Sequence, residues 1–168
     1  IITKDTSGLE TEVSSGLMNY KPGDGTIPIG QFDYNNSKVM ADLGDDIIST
    51  GMMGNDTVIY DLLSKFDGDG KGGHGIDTWS DFGRGNPANN SNADKIQFST
   101  VFFEGLTLQD LTDKDTDVVS KFISVEYNAE TDTATISVDR DGAGNKYNSE
   151  NLLHLTNQDT AITLDELL

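Results

Sequence analysis

Short strands separated by glycine turns are imposed on this chain by one stretch, Ala41 to Ser99, which repeats a single grammar. It holds Gly44-Asp45-Asp46-Ile47-Ile48, Gly54-Asn55-Asp56-Thr57-Val58, Gly75-Ile76-Asp77-Thr78-Trp79-Ser80-Asp81-Phe82 and Ala93-Asp94-Lys95-Ile96-Gln97-Phe98-Ser99. In the first three units a glycine lets the backbone turn and an Asp follows two residues later. An apolar residue two further on points inward from a short strand. Helical periodicity cannot survive such frequent turn glycines. The stretch therefore predicts stacked short strands whose turns carry carboxylates at a fixed place.

Carboxylates also dominate the composition. Among 168 residues, 29 Asp and Glu stand against 11 Lys and Arg, a formal charge of -18. A surface that acidic repels nucleic-acid phosphates and anionic membranes and attracts cations. Neither a nucleic-acid partner nor membrane insertion is expected, and no apolar run approaches the length of a membrane span. Apolar residues recur in every segment and alternate in several, so the chain has material to bury and is not read as disordered. Cysteine is absent, which removes disulfides and thiolate metal sites as staples and leaves an oxygen-bound metal. Calcium takes six to eight oxygens, and glycine carbonyls with Asp carboxylates supply them, so one ion needs ligands from two neighbouring coils. Ordinary Gly-Asp turns are the plainer alternative. Two copies in register, each followed by an apolar strand, favour calcium, with several ions bound.

One compact unit with sub-parts suits this length. Residues 1–40 form a β-rich lead-in or cap with a turn at Pro22-Gly23-Asp24-Gly25. Residues 41–99 form the calcium-binding region. Residues 100–168 form a C-terminal β module, with its clearest hairpin between Phe122–Tyr127 and Thr133–Val138. Asn151 to Thr156 is a further strand. Thr107 with Asp110 caps a short helix containing Leu108 and Leu111, and Thr163 with Glu166 forms a capping box. Asp139-Arg140-Asp141-Gly142-Ala143-Gly144 is either a plain loop or a further calcium turn. The first residues, Ile1-Ile2-Thr3-Lys4-Asp5, lack both Met and a signal-peptide pattern, so the chain reads as a piece of a longer protein.

Within the central region, Asp67 and Asp69 resemble the start of an EF-hand loop. The twelfth-position Glu and the flanking helices are missing, so the loop reads as solvated, with one carboxylate reaching a metal. Asp77 and Asp81 lie four apart in a predicted strand, on one face, and read as co-ligands, while Trp79 and Phe82 cap a core. The strand Asp94 to Phe98 buries Ile96 and Phe98 and returns Asp94 towards the metal side. His74 is a loop residue, and with His154 so distant in sequence it makes no zinc or triad case. Metalloprotease, nucleophile-elbow, phosphate-loop and dinucleotide motifs do not occur. A glycosidase needs one neutral carboxylic acid in an apolar pocket, which Gly-rich turns do not provide. No catalytic residue and no enzymatic activity are expected.

Gly54-Asn55-Asp56-Thr57-Val58, Gly75 to Phe82, Asn92-Ala93-Asp94-Lys95-Ile96, Ser137 to Gly144 and Leu155-Thr156-Asn157 together resemble the C-terminal region of giant bacterial RTX adhesins. These are the biofilm and ice-binding adhesins exported by type I secretion, and the likeness runs from about Val39 to Leu168. The resemblance implies an all-β fold, a short calcium-bound parallel β-roll joined to a β-sandwich-like antiparallel module with one or two short helices. It places metal ligands on Asp46, Asp56, Asp77 and Asp81, with backbone oxygens from Gly44, Gly51 and Gly54. It further implies an uncleaved secretion signal, the type I secretion machinery as partner, a monomer, and a secreted location at the cell surface. Only two roll units match the nonapeptide pattern, the first without its leading glycines, and a short apolar tail expected after Leu168 is missing. The alternatives are a calcium-dependent sugar- or peptide-binding module and the RTX secretion domain of an exported hydrolase.

Overall fold

The computed structural model describes residues 36–41, 44–60, 74–114 and 116–168 in full, and four short strands ahead of them through their backbone alone. Asp67, Asp69 and the Pro22-Gly23-Asp24-Gly25 turn lie outside the described residues. The strands are β1 (Ile2–Lys4), β2 (Glu10–Glu12), β3 (Leu17–Met18), β4 (Thr26–Pro28), β5 (Lys38–Met40), β6 (Ile47–Ser49), β7 (Thr57–Tyr60), β8 (Asp77–Trp79), β9 (Lys95–Phe98), β10 (Ile123–Asn128), β11 (Thr133–Val138) and β12 (Glu150–Leu155). Among the described residues, three short α-helices, α1 (Leu108–Thr112), α2 (Thr116–Val119) and α3 (Leu164–Leu167), and a 3-10 turn at Thr100–Phe102 complete a mostly β chain. Among the described residues, no helix is long and apolar enough to cross a membrane.

From β3 to β9, consecutive strands enter alternate sheets. β3, β5, β7 and β9 make a four-stranded sheet whose neighbours all run parallel. β4, β6 and β8 lie parallel in the other sheet. The turns that return the chain contain Gly44, Gly51 and Gly54 at φ of 95°, 98° and 99°, a region that side chains rarely enter. The register then stacks like on like. Val39, Val58 and Ile96 form one buried row, and Ile48 and Trp79 another. Both rows belong to a single core.

The stacking begins upstream of Ala41. β5 lies in the segment expected to be a lead-in, yet Lys38 pairs with Thr57 as Thr57 pairs with Lys95. Ser37-Lys38-Val39 repeats the polar-then-apolar order of Asp56-Thr57-Val58 without its glycine or carboxylate, which is why the sequence hides the unit.

The C-terminal strands do not build a sandwich of their own. β10, β11 and β12 form an antiparallel meander, with a register shift between Ile136 and Ser137, and β12 then pairs parallel with β8. The result is one mixed six-stranded sheet in the order β10-β11-β12-β8-β6-β4. Leu152 and Leu153 are consecutive and both fully buried, as in a strand covered on two faces. A chain of edge-on rings, Phe98–Phe103 and Phe103–Phe122, ties β9 to the segment entering β10. Both expected caps are formed. Asp110 accepts from the Thr107 amide at 2.8 Å, and Glu166 accepts from the Thr163 amide at 3.0 Å.

Candidate functional site

The repeated aspartates stand one residue ahead of, or at the start of, each inward strand, and the parallel register superposes them. Asp94 Oδ1 accepts from the Asp56 amide at 2.9 Å, and Asp56 Oδ1 accepts from the Ser37 amide at 2.7 Å. On the other sheet, Asp77 Oδ1 accepts from the Asp46 amide at 2.9 Å. The preceding residue bonds in the opposite sense. Asn36 Oδ1 accepts from the Asn55 amide, and Asp45 Oδ1 accepts from the Ile76 amide, each at 2.8 Å. The coils of Ser37 and Asp56, and those of Asp46 and Asp77, thus hold each other reciprocally where their strands begin, while the coil of Asp56 donates to that of Asp94 through both Asn55 and its own amide. Asp46, Asp56, Asp77 and Asp94 are all buried. Charged acceptors of this kind contribute roughly 1.5–3 kcal/mol per bond.

Asp77 and Asp81 have separate tasks. β8 ends at Trp79, so the two-residue alternation that would carry Asp81 onto the face of Asp77 stops short. Asp77 faces the core, where the Tyr60 hydroxyl donates to its Oδ2 at 2.6 Å. Burial first, and then the Asp77 charge, holds the Tyr60 hydroxyl well above its ordinary pKa. Asp81 instead caps the end of β6. It accepts from Ser49 Oγ at 2.6 Å, the Thr50 and Gly51 amides at 3.0 and 2.9 Å, and Trp79 Nε1 at 2.9 Å. Trp79 and Phe82 meet edge to face at 5.0 Å inside the core, as expected.

Burial pushes the Asp94 carboxyl up to about 7. The amide bonds from Gly83 and Asp56 oppose that rise, and the Asp56 and Asp81 carboxylates add to it. His74 lies in the loop ahead of β8, as expected, and is buried there, with its ring edge-on to Tyr60 at 5.4 Å. In the segment left open between loop and calcium turn, Asp139 Oδ1 accepts from the Asp141 amide and Asp141 Oδ2 from the Lys146 amide. That is the bonding of an Asx-type loop.

Of the residues singled out in the sequence, Asp46 meets Asp77, Gly51 meets Asp81, and Asp56 meets Asp94. Gly44 lies against Gly75, whose Cβ, if built, would sit 2.6 Å from the Gly44 carbonyl. Every candidate donor is a hard oxygen, which fits calcium in type. Among the described residues no three carboxylate or imidazole side chains converge on one point, so such an ion would draw largely on glycine carbonyls. Tyr60 and Arg84 were not visible as structural partners. Arg84 sends one nitrogen to the Ala161 carbonyl at 2.8 Å and to both Glu166 oxygens, fastening the turn after β8 to α3. A lone Arg in a Gly-Asn-rich stretch carries no periodic signal that could have announced it. Comparison with protein-family models, with curated proteins and with solved structures finds no match for this chain.

Proposed function

We propose that this chain is a non-catalytic, calcium-stabilised folding and export module at the distal end of a secreted cell-surface adhesin. The observation that carries the reading is the alternation of β3 to β9 between two parallel sheets, with glycine turns and aspartates superposed along the edges. That is the arrangement a β-roll requires, and it agrees with the resemblance to RTX adhesins. Asp46 and Asp56, with carbonyl oxygens of Gly44, Gly51 and Gly54, are the residues that would hold the ion. Calcium, when bound, supplies counter-charge to edges crowded with carboxylates. The chain itself contributes the turn geometry, the amide caps from Asp77, Asp81 and Asp94, and a core that orders only when the coils stack.

Linkage then sets the behaviour. An ion that binds the folded state alone stabilises it by about 2.7 kcal/mol at a hundredfold excess over its Kd. Scarce calcium inside the cell leaves a chain of net charge -18 loose enough for export, and plentiful calcium outside closes it. Thermal melting followed by circular dichroism, first in calcium and then in EGTA, tests this. A substantially higher Tm in calcium is expected, and equal values would overturn the reading.

A further inference from the structure

We propose that the cleft beside the ends of β6 and β8 binds a neutral saccharide. It encloses about 700 Å³, within the roughly 300–1,000 Å³ of small-ligand sites. Met52, Ser80, Arg84, Asn92, Asn157 and Gln158 are among the residues that line it. Several keep a bonding group in reserve. Asn92 accepts from the Gly54 amide through Oδ1 and retains Nδ2, while Asn157 donates Nδ2 to the Ser80 carbonyl and retains Oδ1. Gln158, 3% exposed, donates Nε2 to the Thr156 carbonyl, yet its Oε1 has no donor among the described residues. Arg84 is clamped through its terminal nitrogens, while its buried Nε has no acceptor among the described residues. Buried groups left in this state are uncommon and call for an explanation. An acceptor and a donor of that kind belong to residues lining one cleft, and both atoms are shielded from solvent, so a ligand reaches them only with a local side-chain adjustment, whereas Asn92 Nδ2 and Asn157 Oδ1 need none.

The chemistry of the lining selects the ligand. Interleaved donors and acceptors match hydroxyl groups, each of which can play both parts. Four donors already saturate Asp81, so it is not available to recruit a cation. The overall charge of -18 disfavours an anion. Met52, 64% exposed, offers an apolar flank for the C–H face of a sugar ring. A peptide strand would want an unpaired sheet edge, and the turns that frame this cleft present none. This inference goes beyond the calcium reading and does not depend on it.

The test titrates the full chain with maltotriose, cellotriose and mannotriose, and with trialanine, trigalacturonate and glycerol as comparators. Binding is read from side-chain amide shifts by NMR in calcium and in EGTA, and circular dichroism reports whether the chain is folded. Saturable shifts of Asn92, Asn157 and Gln158 with at least one neutral trisaccharide are expected. Affinity should fall about fivefold in Asn157→Gly, as for one lost hydrogen bond. Glycine accepts the φ of 60° at that position. Met52→Glu, at an exposed site, should weaken binding as well. A folded chain that binds no neutral trisaccharide overturns the proposal. So does preferential binding of trialanine, trigalacturonate or glycerol, or affinity unchanged in both variants. Equal melting in calcium and EGTA would count against the calcium reading alone.

Discussion

Removing the Tyr60 hydroxyl would leave one oxygen of the fully buried Asp77 without its 2.6 Å donor. Tyr60→Phe is therefore expected to lower stability by about 2 kcal/mol in urea denaturation, and a loss under about 0.5 kcal/mol would contradict it. Asp94 gives a pH dependence of definite sign. Its carboxyl lies at about 7 in the folded chain against an ordinary 3.8, so the folded state binds the proton more tightly. Its contribution is full below the unfolded value and disappears as pH rises through about 7. In EGTA, the wild type should lose on the order of 2 kcal/mol relative to Asp94→Asn between about pH 5 and pH 7.5. Melting of both proteins across that interval checks this, and a parallel pair of curves would refute it. The position of these aspartates was legible, because a polar residue followed two places later by an apolar one recurs along the stretch. Their partners were not, since Tyr60 comes from the opposite sheet and amide donors leave no mark in sequence.

Among the described connecting elements, the turn after β8 is closed against backbone. A Cβ on Gly83 would lie 1.9 Å from the Asn92 carbonyl oxygen, which belongs to backbone and cannot swing aside. The Gly83 amide also donates to Asp94 Oδ2 at 2.7 Å, so displacement there disturbs the edge ladder. Gly83→Ala should lower Tm by about ten degrees or leave the chain unfolded, given overpacking costs of roughly 1–3 kcal/mol or more. A Tm within a degree or two of wild type would show that the turn can relax. The C-terminal hairpin and both helix caps could be read from sequence, because their signals are local: a polar turn between alternating segments, and Thr three residues before an acid. The parallel pairing of β12 with β8 could not. It joins Leu153 to Asp77 across most of the C-terminal half, and only the consecutive buried leucines hint that β12 is covered on both faces.

At the scale of the molecule, two parallel stacks and one antiparallel meander share a core while differing in how far apart their partners lie in sequence. The lateral order was hidden because a repeat identifies coils without saying which sheet each strand enters. Its consequence concerns the order of assembly. No strand from β3 to β9 pairs with its sequence neighbour, so each parallel ladder must close a loop containing a strand of the other sheet. β10 and β11 are joined by a tight turn and can zip at once, and β12 follows onto β11. Once formed, β12 presents a ready edge to β8, and β8 in turn to β6. We therefore expect pulse-labelled hydrogen exchange during refolding to protect β10–β12 before β5–β7, with the reverse order refuting it. The later strands, β10 to β12, would then be the template on which the earlier ones wind, coil upon coil, from β8 back to β4.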